Sequence, residues 1–172
     1  MKKNIFVVFG LACYLSSPLV MAAGSGEVNF KGVIIDAPCG IAPTSSDQTI
    51  DFGQLSLTHL NSGGHSNSIP LKIELVNCSL NIGGSNTVLI KFTGDTVGIT
   101  KNLLATTGDT NTAIVISSTD GDINFGSAST AQELGVGKNT IAFQAWVTQA
   151  SESNVVNAGT FTAVTNFTLE YL

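Results

Sequence analysis

Two histidines, one acid pair and three cysteines are the side chains of this sequence with the most obvious chemistry. His59 and His65 share a Ser/Gly/Asn-rich stretch that reads as loop. As a functional pair they would bind a metal or supply a base; as plain residues they are solvated loop side chains, which is the reading this composition supports. Asp120-Gly121-Asp122 offers carboxylates to calcium. The further oxygens and closing Glu of an EF-hand loop are missing, however, and Asp-Gly is a common turn pair. The chain contains no Gly-x-Ser-x-Gly, no His-Glu-x-x-His and no phosphate-binding loop. An enzyme needs an activated nucleophile, an acid/base pair or a metal. None emerges here, so neither catalysis nor a cofactor or metal is expected.

The first 22 residues read as a secretory signal. Lys2 and Lys3 precede an apolar run from Ile5 to Leu15, Ser16-Ser17-Pro18 breaks it, and Val20-Met21-Ala22 places small residues before a cut between Ala22 and Ala23. That run is too short to span a bilayer, and no later segment approaches the length of a transmembrane helix. Cys13 leaves with the signal. Cys39 and Cys78 then form an even pair in an oxidising compartment, for which a disulfide is the default. Closing that loop constrains the unfolded chain by roughly 4 kcal/mol.

The formal net charge is −5, all seven basic residues are lysine, and losing Lys2 and Lys3 makes the mature chain more acidic still. Nucleic acid and anionic lipid both demand basic patches, so neither is an expected partner. Charged residues are only 11% of the chain, so Ser, Thr, Asn, Gln and Gly must form most of the surface.

Short alternating runs separated by Gly, Asn, Asp and Ser clusters predict strands over Glu27–Asp36, Gln48–Leu57 (with a bend at Gly53), Ile69–Cys78, Thr87–Thr93, Ala113–Ser118, Ile123–Phe125, Thr140–Gln149 and Gly159–Tyr171. Ser129–Gly137 holds a turn or two of helix at most. Many short strands with turns between them indicate an antiparallel sandwich of immunoglobulin type. Trp146 alternates away from Phe143 and Ala145, toward a surface contact or the far side of a buried sheet.

The two ends carry the clearest patterns. Phe161, Ala163, Thr165, Phe167, Leu169 and Tyr171 share one face of an extended strand that runs almost to the last residue. Chain ends fray unless tied down, so this strand needs a partner in its own sheet or in another chain. Near the other end Val28, Phe30, Gly32 and Ile34 share a face, with Gly32 marking a place of close backbone approach. Residues 23–27 read as a flexible lead-in to it.

These segments carry a resemblance. Val28-Asn29-Phe30-Lys31-Gly32-Val33-Ile34-Ile35-Asp36-Ala37-Pro38-Cys39, Asp47-Gln48-Thr49-Ile50-Asp51-Phe52-Gly53-Gln54-Leu55, Ile73-Glu74-Leu75-Val76-Asn77-Cys78, and the terminal run from Gly159 to a penultimate Tyr171 follow in an order that resembles the pilin subunits of chaperone–usher fimbriae, most closely the rod-forming kind of P-type pili. Leu172 departs from the polar last residue of many such chains. The resemblance implies an incomplete immunoglobulin-like fold, with an N-terminal extension over 23–37 and a pilin domain over 38–172. Val28, Phe30, Gly32 and Ile34 would then be a donor strand. Gly159, Phe161, Ala163, Thr165, Phe167, Leu169 and Tyr171 would edge an acceptor groove and meet a periplasmic chaperone. Implied partners are that chaperone, an outer-membrane usher and neighbouring subunits joined head to tail. The implied destination is a fimbrium on the bacterial surface, reached through the periplasm, where it supports adhesion.

Other readings are a minor tip, adaptor or terminator subunit, a secreted carbohydrate-binding or adhesive sandwich, and a periplasmic hydrolase. The missing catalytic set disfavours the last. The short run from Ala23 to Pro38 leaves no space for a receptor domain before Cys39.

Overall fold

The computed structural model describes residues 24–80, 86–151 and 155–172; the expected signal over 1–22 lies outside them. The chain divides into two units, one ending at Ile34 and one running Ile35–Leu172. In the first, residues 24–34 form neither helix nor strand, and Phe30 and Ile34 are 91% and 101% exposed. The strand expected over Glu27–Asp36 is therefore absent: strand structure requires a hydrogen-bonded neighbour, and this segment has no ladder to join.

The second unit begins with β1 (Gly40–Ile41) and two short helices, α1 (Pro43–Ser46) and α2 (Leu57–Asn61). Strands follow at β2 (Ile69–Cys78), β3 (Thr87–Thr93), β4 (Thr96–Val97), β5 (Leu103–Ala105), β6 (Thr112–Ser118), β7 (Gly121–Asp122), β8 (Gln132–Glu133), β9 (Gly137–Gln149) and β10 (Asn166–Tyr171). One sheet has the order β1-β2-β9-β6-β5-β4 with β7 on β6; the other has the order β10-β3-β8. Every pairing is antiparallel.

Alternation decides which side chains fill the space between the sheets. Ile73 and Leu75 of β2, Val88, Ile90 and Phe92 of β3, and Ile141, Phe143, Ala145 and Val147 of β9 are buried, while Lys72, Lys138, Thr140, Ala142 and Gln144 are exposed. Each large apolar side chain so buried contributes about 1.5–3 kcal/mol. Phe92 meets Phe143 edge-on, with ring centroids 5.0 Å apart, joining the two layers. Trp146 lies on the outer face of β9, 5.8 Å from the His65 ring.

One irregularity serves the disulfide. Strict alternation after Leu75 would turn Cys78 outward. The β2–β9 register shifts between Leu75 and Cys78, and Asn77 takes the left-handed φ of 55°. An extra residue in one strand reverses the parity of everything beyond it, and Asn is among the few residues that accept that conformation. Cys78 consequently points into the core, is 2% exposed and is bonded to Cys39.

Several sequence expectations are corrected. Gln48–Leu57 is not a strand. The Asp51 carboxylate accepts from the Gly53 N–H at 2.8 Å, and Ser56 caps α2 by accepting from His59 N–H at 3.3 Å; local side-chain bonds of this kind compete with a sheet ladder. Ser129–Gly137 forms no helix, because Ala128, Ser129, Gln132 and Glu133 pair along β3 instead. Ile123–Phe125 is not a strand; it crosses between the sheets, with Ile123 N–H donating to Ile116 and Gly126 N–H to Phe92. The Gly159–Tyr171 strand is regular only from Asn166.

Candidate functional site

The last segment changes sheets. Asn157 N–H donates to Thr110 O at 3.0 Å, and Thr107 N–H donates to Thr162 O at 2.7 Å, so its first half lies beside the β5–β6 connection. From Asn166 to Tyr171 it pairs with β3. Two glycines permit the passage by lacking a side chain: a Cβ on Gly108 would lie 2.6 Å from Thr160 O, and one on Gly94 would lie 3.1 Å from Val164 O. The side-chain alternation nevertheless persists through the crossing. Phe161, Ala163, Thr165, Phe167, Leu169 and Tyr171 are half-buried, and every residue between them is exposed.

Phe161, Ala163, Thr165 and Phe167 line a cleft of about 660 Å³ that opens between the sheets. Its other sides come from Phe52 and the preceding coil, from Leu71 and Leu104, and from Ile116. Phe52 and Phe161 lean toward each other, ring centroids 6.4 Å apart. A second hollow, of about 540 Å³, shares Phe161 and includes Gly159. Leu169 and Tyr171 pack against the hydrophobic core. The Tyr171 hydroxyl donates to Cys39 O at 3.4 Å, and partial burial pushes its phenol above the ordinary value of 10.0.

The backbone of β10 is as informative as its side chains. Leu172 N–H donates to Thr87 O at 3.1 Å. In an antiparallel pair, alternate residues turn both polar groups toward the partner strand and the others turn both away. Leu172 thus fixes Glu170, Thr168 and Asn166 as the residues facing β3. Phe167, Leu169 and Tyr171 direct their N–H and C=O groups to the opposite side, where no strand of the described residues lies. The same three residues point their side chains inward. An extended segment laid there would find hydrogen-bonding groups and apolar surface together.

The histidines and the acid pair do not form a second site. The His59 Nε2 lies 3.1 Å from His65 O, and the His65 Nδ1 lies 2.7 Å from Ser66 O, so each ring is engaged with backbone. Asp120 sits at a hairpin turn, where its carboxylate accepts from the Thr130 hydroxyl. Among the described residues no group of three or more His, Cys, Asp or Glu side chains could hold a metal ion, and no helix is long and apolar enough to cross a membrane.

The structure assembles the cleft-lining part of the terminal face, packs the half-buried Leu169 and Tyr171 against the core, and places Gly159 in the second hollow. Val28, Phe30, Gly32 and Ile34 belong to the separate first unit. The cleft residues that sequence reasoning did not assign to it are Ile41, in the two-residue β1, Phe52, which it placed in an expected strand, and Leu104 and Ile116, which read as ordinary core. Only their distance from the chain's last strand in sequence conceals them.

Comparison with known proteins places this geometry. Residues 28–172 match the family model described as fimbrial protein. KS71A fimbrillin of Escherichia coli is 42% identical, over 96% of this chain and 92% of its own length. The major MR/P fimbria protein of Proteus mirabilis is 39% identical, over 99% and 97%. Among solved structures, a chaperone-usher pilus studied for rod uncoiling superposes with a TM-score of 0.83 at 41% identity, covering 88% of this chain and 98% of that one. The P pilus rod subunit PapA superposes at 0.75 and 40%, covering 79% and 100%. This chain belongs to the fimbrial protein family, as a structural subunit and not an enzyme.

Proposed function

We propose that the chain polymerises by donor-strand exchange, with Val28, Phe30, Gly32 and Ile34 of one copy filling the cleft beside β10 of the next. The observation that carries this reading is the open backbone edge at Phe167, Leu169 and Tyr171 alongside an apolar cleft. The donor segment has the matching form: its four alternate side chains span about 20 Å at 3.3 Å per residue, the length of the four lining residues Phe161 to Phe167. Donor and acceptor are different surfaces, so the contact is head to tail and propagates as an open filament. Residues 23–37 then form the extension and 38–172 the domain that receives it. The rod role follows from relatives that are major pilins.

An open, partly apolar edge invites indiscriminate pairing. A periplasmic chaperone that occupies the cleft until an outer-membrane usher presents the next subunit answers that hazard, and the exported fibre is extracellular and supports adhesion. The test is deletion of residues 23–35 in cells that supply a fimbrial chaperone. The truncated chain is expected to be recovered as a stable chaperone complex and to form no fibres. Fibres of ordinary length from the truncated chain would refute the donor assignment.

A further inference from the structure

We infer that the Lys31 ammonium of the arriving segment pairs with the Asp47 carboxylate on the rim of the receiving cleft and thereby helps to set the register of the inserted strand. The inference rests on the donor-strand reading above.

Alternation leaves the register open. Sliding the donor by two residues keeps the same face inward, yet moves every side chain by about 6.6 Å. Val28, Phe30 and Ile34 are large and apolar and Gly32 between them is small, so side-chain size discriminates on the inward face, and a charge on the opposite face adds a second discriminator. Lys31 is the sole charged residue between Val28 and Ile35, and it is exposed. Asp47 is the sole charged residue among those lining the cleft, and it too is exposed.

Geometry directs the two toward each other. If Phe30 and Gly32 enter the cleft, the side chain between them must point out of it, toward the rim. Asp47 follows α1 directly, and its position is held by its neighbour: the Gln48 amide donates to Ser45 O at 3.1 Å and to Lys72 O at 3.0 Å. The sole ion pair among the described residues is Lys138–Glu74, so Asp47 is not engaged in one. The whole chain is acidic, with a net charge of −5, so two copies repel at long range, and a cation on the arm meeting an anion on the rim acts against that repulsion. Rim charges of this sort govern association rate and salt dependence more than final affinity.

The test uses the full mature chain, with polymerisation followed as a ladder of dissociation-resistant multimers. At low ionic strength Asp47→Lys should slow polymerisation about fivefold. Lys31→Asp combined with Asp47→Lys should restore the rate, and the differences should vanish in about 1 M salt, where screening acts within roughly 3 Å. Lys31→Cys with Asp47→Cys should join successive copies covalently, whereas Lys31→Cys with Glu133→Cys should not. Asp47→Asn, with an unchanged melting temperature, guards against a folding defect. Arm-dependent polymerisation that ignores all these charges and yields no Lys31–Asp47 cross-link overturns the ion pair and leaves strand exchange standing. Polymerisation that does not depend on the arm overturns both.

Discussion

Two sheet edges of this molecule face the same physical problem and meet it in opposite ways. Along the outer edge of β2, successive outward-facing backbone groups are occupied. Gly40 and Ile41 pair with Val76 and Leu75; Ala42 N–H donates to Glu74 O, while Ser45 Oγ accepts from Glu74 N–H at 3.0 Å; Gln48 and Ser45 both reach Lys72 O; and Pro70 has no N–H to offer. A serine serves similarly on the far side of β3, where Ser129 exchanges bonds with Ile90 through its N–H and its hydroxyl. Along β10, by contrast, Phe167, Leu169 and Tyr171 face outward with no strand of the described residues beside them. Edge protection is thus available to this fold from short polar side chains and a proline. Its omission beside an apolar cleft leaves open the edge on which the proposed strand exchange depends.

The largest expected effect comes from making the open edge resemble the closed one. Leu169→Pro removes an N–H that faces away from β3, so the existing ladder survives while an incoming strand loses a donor and meets a ring. Polymerisation should fall on the order of a hundredfold, equivalent to about 3 kcal/mol, with thermal unfolding lowered only as far as in Leu169→Ala, which loses the same core packing but keeps the N–H; fibre yield by electron microscopy beside a melting curve decides it, and normal fibres would break the comparison. The converse change opens the closed edge. Ser45→Ala with Gln48→Ala strands the Glu74 N–H and should destabilise the domain by about 2 kcal/mol in denaturant unfolding and increase aggregation; an unchanged midpoint would mean those side chains do not guard β2. Tyr171→Phe should be the mildest, within about 0.5 kcal/mol at neutral pH. The phenol titrates above its ordinary value when folded, so its contribution is complete below pH about 10 and is lost as pH rises further. The phenylalanine variant should show a shallower alkaline decline in melting temperature, and identical alkaline profiles would remove Tyr171 from that account.

Much of this was legible where one residue pattern met one physical rule. β2 and β3 appear at the bounds their alternation predicts, because both bury a single face against the same core. The inward face of the last strand was equally legible. Its change of sheet was not, since side chains at Phe161 and Phe167 alternate identically whether their backbones pair with the β5–β6 connection or with β3. Gln48–Leu57 misled for a different reason: its apolar residues suggest a strand, but Asp51 and Ser56 settle the backbone locally. The cleft itself was visible only as one wall. Phe52, Leu71 and Leu104 reach it from distant parts of the chain, and tertiary proximity leaves no periodic trace.

The change of sheet in the terminal segment has a mechanical consequence. A pull directed along β10 loads its six-residue ladder with β3 in shear, so the rungs must fail together rather than unzip one at a time. Through Thr162 the same pull reaches Thr107 and the other layer. Tension applied to β10 is therefore shared between both layers of the domain, and a subunit of the fimbrial family becomes a link whose load path crosses its own core.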